Sequence, residues 1–429
     1  MSNTITLPQP AQTALTQFPI AFVDDVNYSG LPGAAWAPGR VNLIGEHTDY
    51  NDGYVLPIAV DRVTAFAGRA RSDGTIRLWS AQFQTMAQFS LEELPTTFEQ
   101  QRERLPGWAR YVLGVVSELS GKGIPLHGFD AVIDGDVPLG GGMSSSAALE
   151  VATAYACALF SSDHFTIGAE GSTPMPTLTP MQVAAVCQHA EQIASGVQCG
   201  ILDQAASCLG QPEKAVLLDC RSLDYRYLPF NAPGLSLMVI DTGVRRELAA
   251  SAYNERRKQC EEAASMLREI MLQQEPNTDA VRAISAVRDI SQAQFERYGG
   301  ELPPVLRKRA GYVIAEDARV LKTVKLLEAN AFEEIGALLW QTHAGLRDEY
   351  EVSSVELDAL VEIARQVQGV LGARMMGGGF GGCTINLLCD SAIEPLRLAV
   401  EEQYPAQTGR QATIDICRAA GGPGFTWMR

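Results

Sequence analysis

The chain has few of the features that mark membrane, secreted or disulfide-rich proteins. No apolar run among its 429 residues approaches the length of about 20 residues that spans a bilayer. Residues 1–18 are polar and contain no basic segment followed by an apolar one, so no signal peptide is expected. The nine cysteines include no Cys-x-x-Cys pair, which argues against a disulfide framework or a zinc site. We therefore expect reduced thiols in a cytoplasmic protein.

Positive charge is also scarce. The chain has 34 Lys and Arg against 50 Asp and Glu, and its formal net charge of −16 disfavours nucleic acids and anionic membranes as partners. A local loop with its metal can still bind an anionic ligand in an acidic protein. The hydrophobic fraction of 46% provides ample core, and the length predicts two domains.

Two common phosphate-binding patterns are missing. The sequence has no Gly-x-x-x-x-Gly-Lys-Ser/Thr motif, so it does not contain the common P-loop. It also lacks the His-Arg-Asp and Asp-Phe-Gly partners of protein kinases. Residues 376–383 match Gly-x-Gly-x-x-Gly formally, but a strand-like segment follows, which argues against a dinucleotide site.

A glycine- and serine-rich stretch at residues 136–150 is the most informative segment. Glycines at 140–142 present no Cβ atoms to an approaching ligand, and three serines and a strong helix former follow them. Residues 129–133 look like a strand. A strand, a glycine loop and a helix N-terminus in this order predict a phosphate site. The alternative is a serine-capped helix after a flexible turn.

Two other stretches carry clustered polar side chains. Residues 37–57 bring Arg, Glu, His and two Asp into a short segment, a mixture of donors and acceptors that suits a polyol. Further along, Glu191 ends one predicted helix and Asp203 lies in the first turn of the next. Paired acids beside a phosphate loop can divide the work between Mg²⁺ and a nucleophile, although an Asp at a helix start is often only a cap.

Hydrophobic periodicity and turn residues predict an α+β chain. We expect strands at 35–44, 60–69, 76–80, 87–90, 129–133, 215–218, 225–228, 235–240, 373–376, 384–389 and 412–417. We expect helices at 108–119, 180–193, 201–209, 248–273, 279–295, 305–328, 332–347, 355–367 and 394–403, and a further helix after the glycine loop that ends near residue 160. Residues 1–34 look like a loose arm with one short helix, and 161–179 like a surface loop. Turn residues at 231–234 predict domains at 1–234 and 235–429.

The three polar and glycine-rich stretches, in this order, resemble the motifs of the GHMP small-molecule kinases. Residues 39–50, Gly-Arg-Val-Asn-Leu-Ile-Gly-Glu-His-Thr-Asp-Tyr, are similar more narrowly to the signature of the galactokinase family. Further similarity runs through residues 199–204, 253–257 and 343–350 and covers nearly the whole chain beyond residue 30. Residues 161–179 and 421–429 have no counterpart in it.

The resemblance implies a two-domain GHMP kinase fold, with an N-terminal mixed sheet carrying helices and a ferredoxin-like C-terminal domain. It implies an enzyme that transfers the γ-phosphoryl of ATP to the anomeric hydroxyl of D-galactose, giving galactose 1-phosphate and ADP. ATP and Mg²⁺ are the implied co-substrate and cofactor. The expected partners are the sugar and ATP alone, with no nucleic acid or membrane, and the expected state is a monomer.

Matched residue by residue, the resemblance implies a role for each motif position. Asp203 takes the place of the catalytic base and Arg40 that of its electrostatic partner. Sugar-binding positions fall on Arg40, Glu46, His47, Asp49, Gly200, Asp203 and Tyr253. ATP-binding positions fall on Ser80, Gly140, Gly141, Gly142, Met143, Ser144, Ser145 and Ser146. Ser146 and Glu191 fall on the Mg²⁺ positions.

Two other functions remain open at this stage. One is a kinase of the same fold that acts on N-acetylgalactosamine or a pentose. The other is a sensor that binds galactose and ATP without transferring phosphate. The intact Ser144-Ser-Ser-Ala147 run and the presence of Asp203 favour an enzyme over a sensor.

Overall fold

The computed structural model describes residues 6–23, 28–169, 175–231, 233–245, 249–274 and 279–428. Its helices are α1 (Gln9–Ala21), α2 (Leu94–Arg104), α3 (Gly107–Gly121), α4 (Ser145–Phe160), α5 (Pro180–Ser195), α6 (Leu202–Leu209), α7 (Ala249–Gln274), α8 (Asp279–Arg282), α9 (Gln292–Tyr298), α10 (Pro304–Glu328), α11 (Phe332–Asp348), α12 (Val355–Arg365) and α13 (Ile393–Thr408). Its strands are β1 (Tyr28–Asn42), β2 (Tyr54–Val55), β3 (Pro57–Arg71), β4 (Thr75–Ser80), β5 (Thr85–Ser90), β6 (Phe129–Gly135), β7 (Thr166–Ile167), β8 (Thr177–Leu178), β9 (Lys214–Asp219), β10 (Tyr225–Pro229), β11 (Leu235–Asp241), β12 (Val370–Met376), β13 (Cys383–Cys389), β14 (Thr413–Cys417) and β15 (Gly424–Trp427).

The first sheet is mixed and has helices on both faces. Its strand order is β15-β1-β3-β6-β4-β5, with β4 and β6 parallel and the other pairs antiparallel. Alternate residues of β3 point to opposite faces. Phe66 packs into the large core that contains α3, α4 and α5, whereas Ala65 and Ala67 pack with Ala11 and Ala14 of α1. The predicted N-terminal mixed sheet is confirmed.

The second sheet has the ferredoxin-like connectivity. Its order is β12-β13-β11-β14, with every neighbouring pair antiparallel. In chain order these strands come first (β11), second (β12), third (β13) and fourth (β14), with helices between the first pair and between the last pair. That is the β-α-β-β-α-β arrangement. Helices α12 and α13 pack their apolar side chains against β11 and β13 to form its core.

A β-bulge in β1 fixes the position of the residue that follows it. The register between β1 and β3 shifts between Pro38 and Arg40. Beyond the shift, the backbone N–H of Arg40 donates to the carbonyl of Met143 at 3.1 Å. The bulge therefore joins the end of β1 to the glycine loop, and bulges commonly re-aim a side chain in this way.

The helix predicted at 279–295 is wrong. The chain forms the single turn α8, extended residues at Ala286 and Ile290, and then α9. Ser291 caps α9 by accepting from the N–H of Gln294, and the Asp289 carboxylate accepts from the N–H groups of Ser285 and Ala286. These side chains satisfy the backbone groups locally, which competes with a continuous helix.

Two terminal segments are more ordered than the sequence indicates. The first 34 residues include α1, whose Ala11 and Ala14 have no exposed surface, and the beginning of β1 at Tyr28. Residues 1–5 and 24–27 of the predicted arm lie outside the described residues. At the other end, β15 pairs with β1.

The chain enters β11 immediately after residue 234. We therefore keep that boundary as a proposal and add β15 to the first domain. The remaining predicted strands and helices coincide with observed elements within a few residues, although residue 248 lies outside the described ranges. Among the described helices, none has the length and apolar character needed to cross a bilayer.

Candidate active site

A cavity of about 250 Å³ opens where β1, the loop after it, α6, α7 and the loop after β12 meet. Every residue that the resemblance places on the sugar lines it: Arg40, Glu46, His47, Asp49, Gly200, Asp203 and Tyr253. Glu191, Cys199 and the backbone of Gly377 and Gly378 complete much of the wall. The cavity therefore combines carboxylates, an imidazole and a guanidinium around a space suited to a small polar ligand.

Asp203 is bound on both oxygens. Its Oδ1 lies 2.6 Å from Arg40 Nη2 and accepts from Arg40 Nε at 2.8 Å. Its Oδ2 accepts from the hydroxyl of Ser144. The Asp203 side chain remains 31% exposed to the cavity, whereas Arg40 is only 5% exposed. Burial alone would lower the pKa of Arg40, but the charges of Asp203 and Glu46 outweigh burial and raise it.

Glu46 is held by a buried arginine from the second sheet. Arg374 has no exposed surface, and its Nη1 lies 2.9 Å from Glu46 Oε1. The same guanidinium donates to the carbonyls of Asn42, Leu43 and Met375. The backbone N–H of Gly377 also donates to Glu46 Oε1, at 3.1 Å. The glycine-rich segment at 376–383 therefore helps to orient a carboxylate in the cavity. This role agrees with the expectation that the segment is not a dinucleotide-binding loop.

His47 is neutral and has one free nitrogen. Burial lowers the pKa of His47 to about 3, and the nearby charges of Arg256 and Arg374 add to this. Its Nδ1 is 2.7 Å from the hydroxyl of Tyr50, which in turn is 2.8 Å from the hydroxyl of Tyr350. Its Nε2 is buried and has no hydrogen-bond partner among the described residues. A buried nitrogen without a partner is rare in folded proteins, and this one belongs to a residue that lines the cavity.

Asp49 reaches the cavity because residue 200 is glycine. A Cβ atom on Gly200 would overlap Oδ2, Cγ and Cβ of Asp49, so a larger residue would displace the carboxylate. Burial raises the pKa of Asp49 to about 7, and the charge of Asp203 contributes in the same direction. Gly200 therefore leaves room for the Asp49 carboxylate in the cavity wall. This spatial role is distinct from the direct contact with the sugar that the resemblance implies.

The glycine loop leads into α4 as the sequence predicts, but Ser144 does not cap the helix. Ser144 has φ 55° and no side-chain capping bond, because its hydroxyl is committed to Asp203. The first N–H groups of α4 are thus left without that cap, as an anion site requires. Gly142 has φ 76°, and a Cβ there would overlap Cys383 Sγ. The Met143 side chain is buried in the core, so only its backbone belongs to the loop.

A second cavity of about 330 Å³ lies on the other side of the loop. Ser80, which is 4% exposed, lies in its wall with Gly140, Ser145 and Ser146. Aromatic and apolar side chains supply much of the remaining wall, among them Phe83, Trp108, Tyr111, Ile133, Leu139 and Leu149. A largely apolar cavity with a few hydroxyls beside a phosphate loop suits a purine base and its ribose.

Ser146 and Glu191 join the two cavities. The Ser146 hydroxyl donates to Glu191 Oε1 at 3.1 Å, and Gln204 Nε2 donates to Glu191 Oε2 at 2.6 Å. Gln204 Nε2 also donates to Glu150 Oε2 at 2.9 Å. Burial raises the pKa of Glu191 to about 7, with a further contribution from Asp203, and burial raises the pKa of Glu150 well above its ordinary value.

Comparison with known proteins identifies this arrangement. The galactokinase galactose-binding signature matches residues 21–70, the GHMP kinases N terminal domain matches 110–211 and the GHMP kinases C terminal domain matches 323–406. The chain is 42% identical over 388 residues to galactokinase from Roseiflexus sp. (strain RS-1), covering 90% of this chain and 91% of that protein. The chain belongs to the galactokinase family.

Other members of the family and solved structures agree. Galactokinase from Chloroflexus aurantiacus (strain ATCC 29366 / DSM 635 / J-10-fl) is 41% identical, covering 90% of this chain and 92% of that one. The structure of Lactococcus lactis galactokinase complexed with galactose superimposes with a TM-score of 0.82 at 31% identity, over 96% of this chain and 98% of that one. The Methanococcus jannaschii mevalonate kinase, at 16% identity, shares the fold with a TM-score of 0.62 over 93% of this chain and 100% of that one. The chain is therefore a sugar kinase with the GHMP fold.

Several residues that organise this galactokinase-family site were not singled out from the sequence. Arg374 acts through contacts between distant segments, so no local pattern marks it, and Gln204 belongs to the family-like segment 199–204 without a role being evident from it. Arg245 donates to the carbonyl of Leu139 at 3.0 Å and pairs with Asp241 at 2.5 Å, which places a half-exposed cation against the glycine loop.

The structure also corrects one member of the polar cluster predicted at residues 37–57. Asp52 lies outside the sugar-side cavity and pairs with Arg221 at 3.2 Å.

The segments at 253–257 and 343–350, which resemble the family, also have a structural role. Asn254 accepts from the N–H of Gln198 at 3.0 Å, and Arg257 donates to its carbonyl at 3.2 Å. Arg256 donates to the carbonyl of Tyr350 at 2.8 Å. These bonds fix the loop that precedes α6 and the position of Tyr350 behind His47. Of the two segments, only Tyr253 lines the cavity.

Proposed function

We propose that the protein transfers the γ-phosphoryl group of ATP to the anomeric hydroxyl of D-galactose, giving galactose 1-phosphate and ADP. The observation that carries the proposal is the position of Asp203. Its carboxylate faces a polar cavity, pairs with Arg40 and accepts from Ser144 of the glycine loop. An acceptor hydroxyl in that cavity would therefore lie between a base and a phosphate site, as phosphoryl transfer requires.

The sugar-side cavity offers hydrogen-bonding groups on several sides of a small polyol. Glu46 and Asp49 provide carboxylate oxygens, and His47 provides the unpartnered Nε2. Tyr253 covers another side, with its ring centroid 5.4 Å from that of His47. Fixed partners such as Arg374 behind Glu46 hold these groups before the sugar arrives, which lowers the entropic cost of binding.

The second cavity is the proposed nucleotide site. Trp108, Tyr111 and Phe83 present aromatic surface to the purine base, and Ser80 contributes a hydroxyl. The phosphates would then follow the glycine loop towards the first turn of α4, whose N–H groups favour anions. Arg245 adds a positive charge beside the same loop.

In the proposed reaction Asp203 accepts the proton of the anomeric hydroxyl while the bond from that oxygen to the γ-phosphorus forms. The bond from the γ-phosphorus to the bridging oxygen breaks, and that oxygen leaves with ADP. The guanidinium of Arg40, 2.6 Å from Asp203 Oδ1, supplies a positive charge that stabilises the alkoxide as it develops. Ser144 keeps the carboxylate in register with the loop.

Ser146 and Glu191 fit the proposed Mg²⁺ position. Both offer oxygen ligands, which Mg²⁺ prefers, and they lie 3.1 Å apart at the junction of the two cavities. Burial of Glu191 and the adjacent charge of Asp203 raise the pKa of Glu191, so a cation would relieve an unfavourable local charge. When bound, Mg²⁺ would offset charge on the phosphate oxygens. Gln204 orients Glu191 by occupying its Oε2.

We further propose that the protein works as a monomer in the cytoplasm, with the sugar and ATP as its only partners. All nine cysteines are free thiols, which supports a reducing compartment.

A phosphorylation screen tests the proposed activity and its alternatives together. The protein is incubated with Mg²⁺-ATP and each of several hexoses, hexosamines and pentoses, ADP release is followed, and ³¹P NMR locates the new phosphate ester. We expect fastest turnover with galactose and a phosphate on C1. Preferred turnover of N-acetylgalactosamine or a pentose would transfer the proposal to that sugar. Binding of galactose without ADP release would identify a sensor.

A further inference from the structure

A second constellation of chemical groups lies at the other end of α4 from the glycine loop. The chain has five histidines, and two partly buried ones, His127 and His164, lie together with the exposed Asp163. One ligand atom from each of the three lies within 4.8 Å of the others. We propose that His127, Asp163 and His164 form a binding site for a divalent transition-metal ion such as Zn²⁺. This site is independent of the kinase cavity and of its Mg²⁺ position.

The distances between the potential ligand atoms support this assignment. Two ligands that are each about 2.0–2.1 Å from a tetrahedral Zn²⁺ are separated by about 3.3 Å. His127 Nε2 lies 3.1 Å from both carboxylate oxygens of Asp163, and His164 Nε2 lies 3.8 Å from its Oδ2. The two imidazole centroids are 4.7 Å apart. Small side-chain rotations would therefore bring all three groups to a single ion.

The backbone beneath these side chains is anchored by one buried residue. The N–H of His127 donates to the Ser161 hydroxyl at 2.9 Å, and the N–H of His164 donates to the Ser161 carbonyl at 2.8 Å. Ser161 has no exposed surface. On either side, Phe129 and Phe160 pack their rings 5.0 Å apart in the core. The segments before β6 and after α4 are thus held together before any ion binds.

The ligand types select the class of ion. Imidazole nitrogen suits Zn²⁺, Cu²⁺ and Ni²⁺, whereas Mg²⁺ and Ca²⁺ take oxygen ligands. Asp163 adds a carboxylate oxygen, a ligand that Zn²⁺ also accepts. The side chains of His127, Asp163 and His164 are 37%, 64% and 35% exposed, which gives an ion direct access from solvent. Three protein ligands leave one tetrahedral position for water.

The site closes a segment that contains the phosphate loop. His127 precedes β6, and Asp163 and His164 follow α4, so an ion would join the two open ends of the strand–loop–helix unit. A metal that binds the folded protein and not the unfolded chain stabilises the folded state. We therefore expect this ion to stabilise the first domain without taking part in phosphoryl transfer.

Equilibrium dialysis tests the site with Zn²⁺ alone as the probe. The bound Zn²⁺ is counted at increasing free concentration for the wild type, His127→Ala, His164→Ala and the matched control His189→Ala. His189 is an exposed histidine that also lies beside a carboxylate, 3.5 Å from Glu118, but it has no second histidine partner. The number of Zn²⁺ equivalents bound by the wild type minus the number bound by a variant isolates this site, because Zn²⁺ bound to thiols or to the acidic kinase cavity is common to both proteins.

We expect the wild type and His189→Ala to bind one equivalent more than His127→Ala and His164→Ala. Loss of an imidazole ligand should weaken that equivalent by more than about tenfold, the loss that removal of an outer partner can cause. Zn²⁺ should raise the Tm of the wild type and of His189→Ala, but not of His164→Ala. Asp163→Asn, which preserves side-chain shape, repeats the test if a histidine variant folds poorly. Equal Zn²⁺ binding by the wild type and both histidine variants would overturn the proposal.

Discussion

Arg40 and Asp203 are joined by an ion pair in which both Nη2 and Nε of Arg40 approach the same oxygen, at 2.6 and 2.8 Å. The other oxygen of Asp203 accepts from Ser144, and Arg40 Nη1 donates to the carbonyl of Gly142. The proposed base, its cation and the phosphate loop thus form one hydrogen-bonded unit. A shift in any member would move the others, so the geometry of the reaction depends on the unit as a whole.

Asp203→Asn should fold and bind galactose but lose nearly all turnover. The amide preserves the shape of the side chain and can still accept from Arg40, but it cannot accept the proton of the sugar. A general base typically contributes about 10²–10⁴-fold in rate, so kcat should fall by that factor. Steady-state kinetics and equilibrium galactose binding measure the two effects separately.

The matched control for that variant is Asp224→Asn, which changes an exposed acid outside both cavities. Its kcat should equal that of the wild type. Near-wild-type turnover of Asp203→Asn would show that Asp203 only organises the start of α6 and is not the base.

Ser146→Ala and Glu191→Gln should each raise the Mg²⁺ concentration needed for half-maximal activity. Each change removes one of the two oxygen groups proposed to hold the ion, and Mg²⁺ usually has only one or two protein ligands beside phosphates and waters. A Mg²⁺ titration of initial rates at saturating ATP measures the shift. Ser222→Ala, which changes an exposed serine outside both cavities, is the control. Unchanged titrations in both variants would remove these residues from the metal site.

Gly200→Ala should raise the KM for the sugar while leaving the KM for ATP nearly unchanged. The added Cβ would overlap the Asp49 carboxylate, which must then move out of the sugar-side cavity. Loss of one buried hydrogen bond costs about 1–3 kcal/mol, or roughly 10–100-fold in affinity. Gly107→Ala is the control, because a Cβ there meets no atom within 4 Å. An unaltered galactose KM would show that Asp49 does not need its present position.

The stability of the unliganded protein should depend on pH through Asp49. Burial raises the pKa of Asp49 to about 7, so the folded state holds this proton more tightly than the unfolded state does. The contribution is fully present below the unfolded pKa of about 3.9 and is lost as the pH rises through about 7. The Tm of the wild type should therefore fall more steeply between pH 5 and 7.5 than that of Asp49→Asn. Parallel Tm profiles would contradict this account.

Local sequence patterns were sufficient to predict most of the helices and strands, whereas the two-domain fold was implied by the family resemblance. The strand, glycine loop and helix around residues 129–160 have strong local signals, because the glycines at 140–142 are followed closely by a run of strong helix-forming residues. The break at 279–295 was missed because the apolar spacing resembles a helix, whereas Ser291 and Asp289 satisfy backbone groups in another way. The pairing of β15 with β1 joins the two ends of the chain, and no local pattern encodes it.

The site residues also divide into those that local sequence marks and those that only the three-dimensional structure reveals. Glu46 and Asp49, which stand in a segment of unusual local composition, line one cavity, and their contact with the sugar stays a prediction. Their supporting partners were not predictable, since Arg374 reaches Glu46 across 328 positions of sequence. The role of Gly200 in making room for Asp49 also required three-dimensional positions. Ser144 looked like a helix cap, but its hydroxyl binds Asp203.

The most direct test of the account is the ratio of kcat/KM for D-galactose to that for D-glucose, its C4 epimer, with 2-deoxygalactose and N-acetylgalactosamine measured under the same conditions. Inverting C4 leaves at least one buried partner in the sugar-side cavity unpaired, and a site built around a hydroxyl can discriminate by about 10⁴. We predict a strong preference for galactose, of at least about 100-fold over glucose. Equal values for galactose and glucose would contradict the central claim, and a preference for N-acetylgalactosamine would assign the site to that sugar instead.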